Sequence, residues 1–296
     1  MTTLKEYLDT TGCEQTLKDL IELIAKQAGP IRDAFISNQK YTDTENVYGE
    51  TQIALDKWSD AHLLKVLEKS GLVKELASEE QPEIVELNGA KAGYAVTMDP
   101  LDGSSLVQVN LAVGTIIGIY DGKAMQEGRN MLAAMYMLYG PMTTLTVTVK
   151  EGVHIFALND KGEYMMMEKD IQIPEGKIYA SGALKKDWLP KHKEFIEYLE
   201  GEGYKLRYSG SFVADVHQLL KYGGIFSYPA FAGHENGKLR LLFEANPLGF
   251  IITQAGGRIS DGSQDILTIT PEKLDHRVPI YIGSKGAVEK MEEMFK

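Results

Sequence analysis

The chain has 296 residues, 44% hydrophobic and 25% charged, with a formal net charge of -11. That length and balance suit a globular protein with a large core, and the acidic charge argues against nucleic acid or an anionic membrane as a partner. A single cysteine, Cys13, excludes an intramolecular disulfide and a cysteine-based zinc cage, and no apolar run approaches the roughly 18 residues of a membrane span.

The N-terminal "MTTLKEYLDTTG" is too polar for a signal peptide, so the chain is expected to be cytoplasmic. Residues 13–28 carry Leu17, Leu20, Ile21 and Ile24 at helical spacing, interrupted by Gly29-Pro30. Residues 40–52 read as a loop that orders when ligands bind. A second helix is predicted over 52–70, stopped by Gly71. Strands are predicted at 94–98, 111–120, 145–149 and 153–158, and "GRNMLAAMYMLYG" between them reads as a helix. The wholly apolar "AVGTIIGIY" suits a sheet covered on both faces.

The loop-rich "EKDIQIPEGKIYASG" marks a boundary near residue 175, dividing an N-terminal unit, 1–175, from a C-terminal unit, 176–296. Beyond it helices are predicted at 187–200 and 212–222, with strands at 206–209 and at "GIFSY". Residues 239–255 read as a helix kinked at Pro247, followed by the strand "PIYIGS" and a terminal helix. The alternation predicts a layered α/β architecture.

The chemistry concentrates in "VTMDPLDGSSLVQVN", where an apolar strand ends in Asp99 and Asp102. Asp-Gly and Pro alone would make a simple turn. Strand ends are, however, where α/β proteins place their sites, and two neighbouring carboxylates repel unless a cation lies between them. Gly103, Ser104 and Ser105 add N–H and hydroxyl groups suited to a phosphate. A hard cation such as Mg²⁺ needs oxygen ligands. Further acids are available in Glu79-Glu80, which on a strand would face opposite ways, although the polar "SEEQPE" by pattern alone fits a solvated acidic loop better, and in Glu244 within the apolar "LRLLFEANPLGF". Asp56 lies near Trp58 on the second helix, where a plain surface carboxylate fits the pattern equally well. The six histidines are scattered without ligand-like spacing.

The segments "GETQIALD", "SEEQPE", "MDPLDGSS", "VGTIIGIY", "GRNMLAAMYMLYGP", "GKIYAS", "LRYSGSFVADVHQLLKYGGIF", "NGKLRLLFEANPLGF" and "QAGGRISDG" together resemble the class I fructose-1,6-bisphosphatase family of Mg²⁺-dependent, Li⁺-sensitive sugar phosphatases. The resemblance implies the layered αβαβα sugar-phosphatase fold in two closely packed halves. It also implies two or three Mg²⁺ ions, with Mn²⁺ as the alternative, on Glu79, Asp99, Asp102, Glu244 and the Leu101 carbonyl. By the same resemblance Asp56 and Glu80 orient or deprotonate the attacking water, and Glu50 is a flexible-loop acid where the family usually has Asp. Gly103, Ser104 and Ser105 hold the 1-phosphate, while Tyr208, Tyr228 and Lys238 hold the sugar and its distal phosphate. Arg207 reaches into a neighbouring subunit's site, which implies a homotetramer.

Two departures bear on substrate and control. The family's Asn and Tyr after "KIY" are missing from "KIYASGALKKDW", where Ala183 or Ser181 replaces the Asn and Lys185 could compensate. That stretch also resembles sedoheptulose-1,7-bisphosphatase, so that activity, or both together, is the alternative. An inactive metal-binding homologue is the non-enzymatic reading, opposed by the presence of all four metal carboxylates. Gly93-Tyr94 stands where vertebrate-type relatives have Lys-Tyr, so inhibition by AMP is expected to be weak or absent.

Overall fold

The structure, a computed structural model, describes residues 2–38, 41–45 and 51–296. Strands β1 (Tyr41–Glu45) and β2 (Thr51–Ile53) pair as an antiparallel ribbon. An eight-stranded sheet holds β3 (Val73–Ser78), β4 (Val85–Glu86), β5 (Tyr94–Asp102), β6 (Val113–Asp121), β7 (Ala133–Tyr139), β8 (Thr143–Val149), β9 (Glu151–Leu158) and β10 (Tyr164–Glu168), in the order β10-β9-β8-β7-β6-β5-β3-β4. A five-stranded sheet holds β11 (Ile178–Ser181), β12 (Lys205–Leu206), β13 (Ile225–Tyr228), β14 (Arg258–Ser260) and β15 (Ile280–Gly283), ordered β12-β11-β13-β15-β14.

Eight helices complete three helical layers. Helices α1 (Leu4–Thr10), α2 (Gln15–Ala25), α3 (Ala28–Asp33) and α4 (Ala54–Ser70) cover one face of the large sheet, where Leu20, Ile24, Leu63 and Leu67 share a core with Val96, Met98, Ile117 and Met135. Helices α6 (Phe212–Tyr222) and α7 (Asn246–Gln254) lie between the sheets, where Val213, Val216 and Leu248 join Ile116 and Tyr136 on one side to Phe226 and Ile280 on the other. Helices α5 (Pro190–Gly201) and α8 (Lys285–Phe295) close the outer face of the small sheet through Phe195, Val288 and Tyr281. The layers therefore run αβαβα, as the resemblance implied, and neighbouring residues of β6 feed two different cores.

Several predicted elements differ: of the strand predicted at 206–209 only Leu206 is strand, in β12, and residues 41–45 and 51–52 of the loop expected at 40–52 lie in β1 and β2. "GRNMLAAMYMLYG" is not a helix: it forms a short 3-10 turn, Gly128–Asn130, and then β7. Met135 and Met137 face one core while Ala134 and Tyr136 face the other. A strand buried on both faces shows no polar alternation, and Met, Ala and Leu favour helix in isolation. Pro30 does not end the N-terminal helical region but sits inside α3. The helix predicted over 239–255 instead begins with a widened turn, Leu241–Ala245, where Ala245 N–H donates to Arg240 O at 3.0 Å. Pro247 lies in the first turn of α7, immediately after the widened turn.

Close approach fixes Gly114 of β6. A Cβ there would stand 2.5 Å from the Met137 carbonyl oxygen and 2.8 Å from Val213 Cγ1 of α6. Gly114→Ala is expected to lower unfolding free energy by about 1–3 kcal/mol through overpacking, which denaturant unfolding measures.

Candidate active site

The two aspartates owe their juxtaposition to a defect in a strand. On a regular strand, residues three apart face opposite ways. In β5, however, Asp99 pairs with Ile116 and Asp102 with Gly114, so three steps on β5 match two on β6. The extra residue is a β-bulge, which bends the strand and re-aims its side chains. One oxygen from each of Asp99, Asp102 and Glu244 then falls within 4.8 Å of the others, and all three residues are buried. The motif is strand as far as Asp102 rather than a turn from Asp99. The reversal comes only at Gly103, whose φ is +77° and whose added Cβ would meet Ser211 Cβ at 2.7 Å.

Neighbouring elements bring the remaining acids. Strand β3 runs parallel to β5, so Glu79 leaves its end beside Asp99, and Glu79 N–H donates to Met98 O at 3.1 Å. Glu79 and Glu80 lie in the turn after β3, not on the strand, and the opposite-face expectation for them does not apply. Asp56 is buried in the first turn of α4. Glu244 is presented by the widened turn before α7, a feature often found at functional sites.

These groups open onto a cavity of about 320 Å³. Asp56, Glu79, Glu80, Asp99, Leu101, Asp102 and Glu244 form its acidic end. Gly103, Ser104 and Ser105 border it, the two serines opening the 3-10 turn Ser104–Val109. Tyr208, Tyr228 and Lys238 complete it from the C-terminal part of the chain. Arg207 is exposed and does not line the cavity; its guanidinium lies over the Tyr222 ring, 5.0 Å from the centroid. Glu50 lies outside the described residues. Ala183, at φ +61°, and Lys185 are not among the lining residues.

Sequence reasoning missed the groups that hold the acids. Asp102 Oδ2 accepts from Ser211 Oγ at 2.7 Å and from Val213 N–H at 2.9 Å, so the N-terminus of α6 grips this carboxylate. Asp215, one turn further on, accepts from Ser209 N–H at 2.9 Å and fixes the segment carrying Tyr208; burial pushes its carboxyl up to about 7. Buried Arg240 pairs with Glu79 at 2.7 Å, and its backbone N–H donates to Glu244 Oε2 at 2.7 Å. The signal was an arginine inside the apolar run "LRLLFE", since a buried cation requires a partner.

Crowding and burial set the electrostatics of the site. Burial, and then the charges of Glu79, Asp102 and Glu244, hold the Asp99 carboxyl well above its usual range. Glu244 is raised by burial and by Glu79, against an opposing effect of Arg240. Burial also raises Asp102, moderated by its bonds to Ser211 and to the α6 amides. Buried carboxylates converging on one point are the donor set of a hard divalent cation, so the residues present fit one.

Clustered carboxylates at a strand end, hydroxyls beside them and a lysine on the cavity wall suit a small phosphorylated substrate. Among the described residues no helix is long and apolar enough to cross a membrane. Residues 5–169 match the model of the fructose-1-6-bisphosphatase N-terminal domain, and residues 173–296 match that of its C-terminal domain. The class 1 fructose-1,6-bisphosphatase of Methanospirillum hungatei JF-1 is 54% identical over 100% of this chain and 96% of its own length. That of Geobacter sulfurreducens is 51% identical over 96% of this chain and 93% of its own length. The crystal structure of Leishmania major fructose-1,6-bisphosphatase in holo form superposes with a TM-score of 0.94 at 32% identity, covering 99% of this chain and 98% of that one. The chain belongs to the fructose-1,6-bisphosphatase family.

Without a cation, the folded protein retains protons on Asp99 and Glu244 that the unfolded chain sheds in the ordinary carboxylate range. Stability from this source is therefore full at low pH and is lost as pH rises through the raised values. The melting temperature of metal-free protein is expected to fall as pH rises above the ordinary carboxylate range of about 4, and saturating Mg²⁺ should remove most of that fall. Thermal unfolding across a pH series, with and without Mg²⁺, measures it; an unchanged pH dependence in Mg²⁺ contradicts the assignment.

Proposed function

We propose that the chain hydrolyses the 1-phosphate of fructose 1,6-bisphosphate, giving fructose 6-phosphate and phosphate. The observation that carries this reading is the convergence of Asp99, Asp102 and Glu244 beside Gly103, Ser104 and Ser105 in one cavity of a chain of this family. A divalent cation, Mg²⁺ or Mn²⁺, held by Glu79, Asp99, Asp102, Glu244 and the Leu101 carbonyl, would supply Lewis-acid charge at the phosphate. Glu80 and Asp56 orient the attacking water and take its proton on their carboxylate oxygens. Ser104, Ser105 and the Gly103 amide hold the transferred group, and catalysis is positioning plus electrostatics.

Tyr208, Tyr228 and Lys238 hold the sugar and the phosphate that is kept. Lys238 places a positive charge at the mouth of a protein whose net charge is -11, which favours an anionic substrate locally. Arg207, exposed and turned away from its own cavity, serves the site of a neighbouring copy in a homotetramer.

The test is phosphate release by purified protein with Mg²⁺, comparing fructose 1,6-bisphosphate and sedoheptulose 1,7-bisphosphate, with EDTA controls. Faster metal-dependent release from the hexose is expected; faster release from the heptose would transfer the assignment to that sugar. Asp102→Asn is expected to lose more than the roughly 10–100-fold typical of changes to outer ligand supports, and near-wild-type turnover would refute its role. Arg207→Ala is expected to raise KM for the bisphosphate with little change in kcat; an unchanged KM counts against the shared site.

A further inference from the structure

Asp60 lies on α4, one turn after Asp56, and is 4% exposed. It is not among the residues lining the cavity, and neither are Ser78 and Gln81. Asp60 Oδ1 accepts from Ser78 Oγ at 2.6 Å, and Oδ2 accepts from the Gln81 side-chain amide. Ser78 is fully buried, and its hydroxyl also accepts from Glu80 N–H at 3.3 Å. The two residues that Asp60 grips stand immediately before and after Glu79-Glu80. One carboxylate thus brackets the acidic pair from behind, while the same helix delivers Asp56 to the cavity from the front.

We propose that Asp60 is a positioning residue, holding the Glu79–Glu80 turn in register with Asp56 for cation binding through its two hydrogen bonds to Ser78 and Gln81. The inference rests on the roles assigned to Glu79 and Glu80 above. Its physical basis is stiffness. A turn outside a sheet is held by few backbone bonds, and the two glutamates would otherwise spread as their charges repel. Helix α4 is anchored in the core by Leu55, Leu63 and Leu67, so Asp60 transfers the rigidity of that helix to the turn. The bonds rather than the charge do this. An Asn at position 60 would still accept from Ser78 and, with the Gln81 amide turned over, donate to its oxygen.

Titration of the full-length protein with Mn²⁺, following free Mn²⁺ by electron paramagnetic resonance, tests the proposal beside phosphate release and thermal unfolding. Asp60→Ala is expected to bind Mn²⁺ roughly tenfold more weakly. The metal concentration for half-maximal activity should rise in parallel, while KM for the sugar bisphosphate at saturating metal stays within about twofold. Asp60→Asn is expected to restore most of the affinity. A purely structural role would lower the melting temperature and leave Mn²⁺ affinity unchanged, and that result overturns the proposal. Asp60→Asn binding as weakly as Asp60→Ala overturns the hydrogen-bond account. Should Asp60→Ala not fold, Ser78→Ala and Gln81→Leu each remove one tether, and wild-type Mn²⁺ affinity in both overturns it. If the wild type releases no phosphate, the proposed reaction fails, while the Mn²⁺ comparison still reads Asp60; a wild type that binds no Mn²⁺ overturns both.

Discussion

Mutual repulsion of carboxylates in a buried place is the constraint around which this molecule is arranged. Asp99, Asp102 and Glu244 are all buried, and after burial itself Asp102 and Glu244 raise the energy of ionising Asp99, as Asp102 does that of Glu244. In a low-dielectric setting such a cluster is expensive unless a cation compensates it. The surroundings are built to hold the acids in place regardless. The bulge in β5 turns two of them the same way, the widened turn before α7 presents the third, and the N-terminus of α6 takes one oxygen of Asp102. Arg240 places a fixed positive charge against Glu79 at the edge of the group.

The fold serves this cluster through strand direction. Among the described residues only β3 and β5 of the large sheet pair in parallel, and it is their shared end that carries Glu79, Asp99 and Asp102. The rest of that sheet is antiparallel and acts as a wall with a core on each face. A small ordered defect in an otherwise regular element is enough to create a site, because regular alternation would have sent one aspartate into the opposite layer.

Much of this was legible from residue order. The strand ending in "MDPLDGSS", the helix over 52–70 and the acid at 244 could be read from apolar patterning and from the rarity of carboxylates in apolar runs, whereas the roles of Glu79 and Glu80, in the polar "SEEQPE", came from the family resemblance. Thirteen of the fifteen site residues expected from the sequence line one cavity, the exceptions being Arg207 and Glu50, the latter outside the described residues. What stayed hidden has a common cause. The period of β7 was masked because both its faces are buried, so no polar residue marked one side. The bulge left no trace, since an inserted residue looks like any other until its partner strand is known. The supports Ser211 and Arg240 are far in sequence from the Asp102 and Glu79 that they hold.

Helix α6 joins two facts that were described separately. Its flank is the wedge packed between the two sheets, and its first turn holds a side chain that belongs to the large sheet. The seam between the layers therefore runs through the carboxylate cluster rather than past it. Sliding one sheet over the other by even an ångström would pull the Ser211 and Val213 donors off Asp102. By reciprocity, a cation that binds better in one registry of the layers would favour that registry by the same free energy.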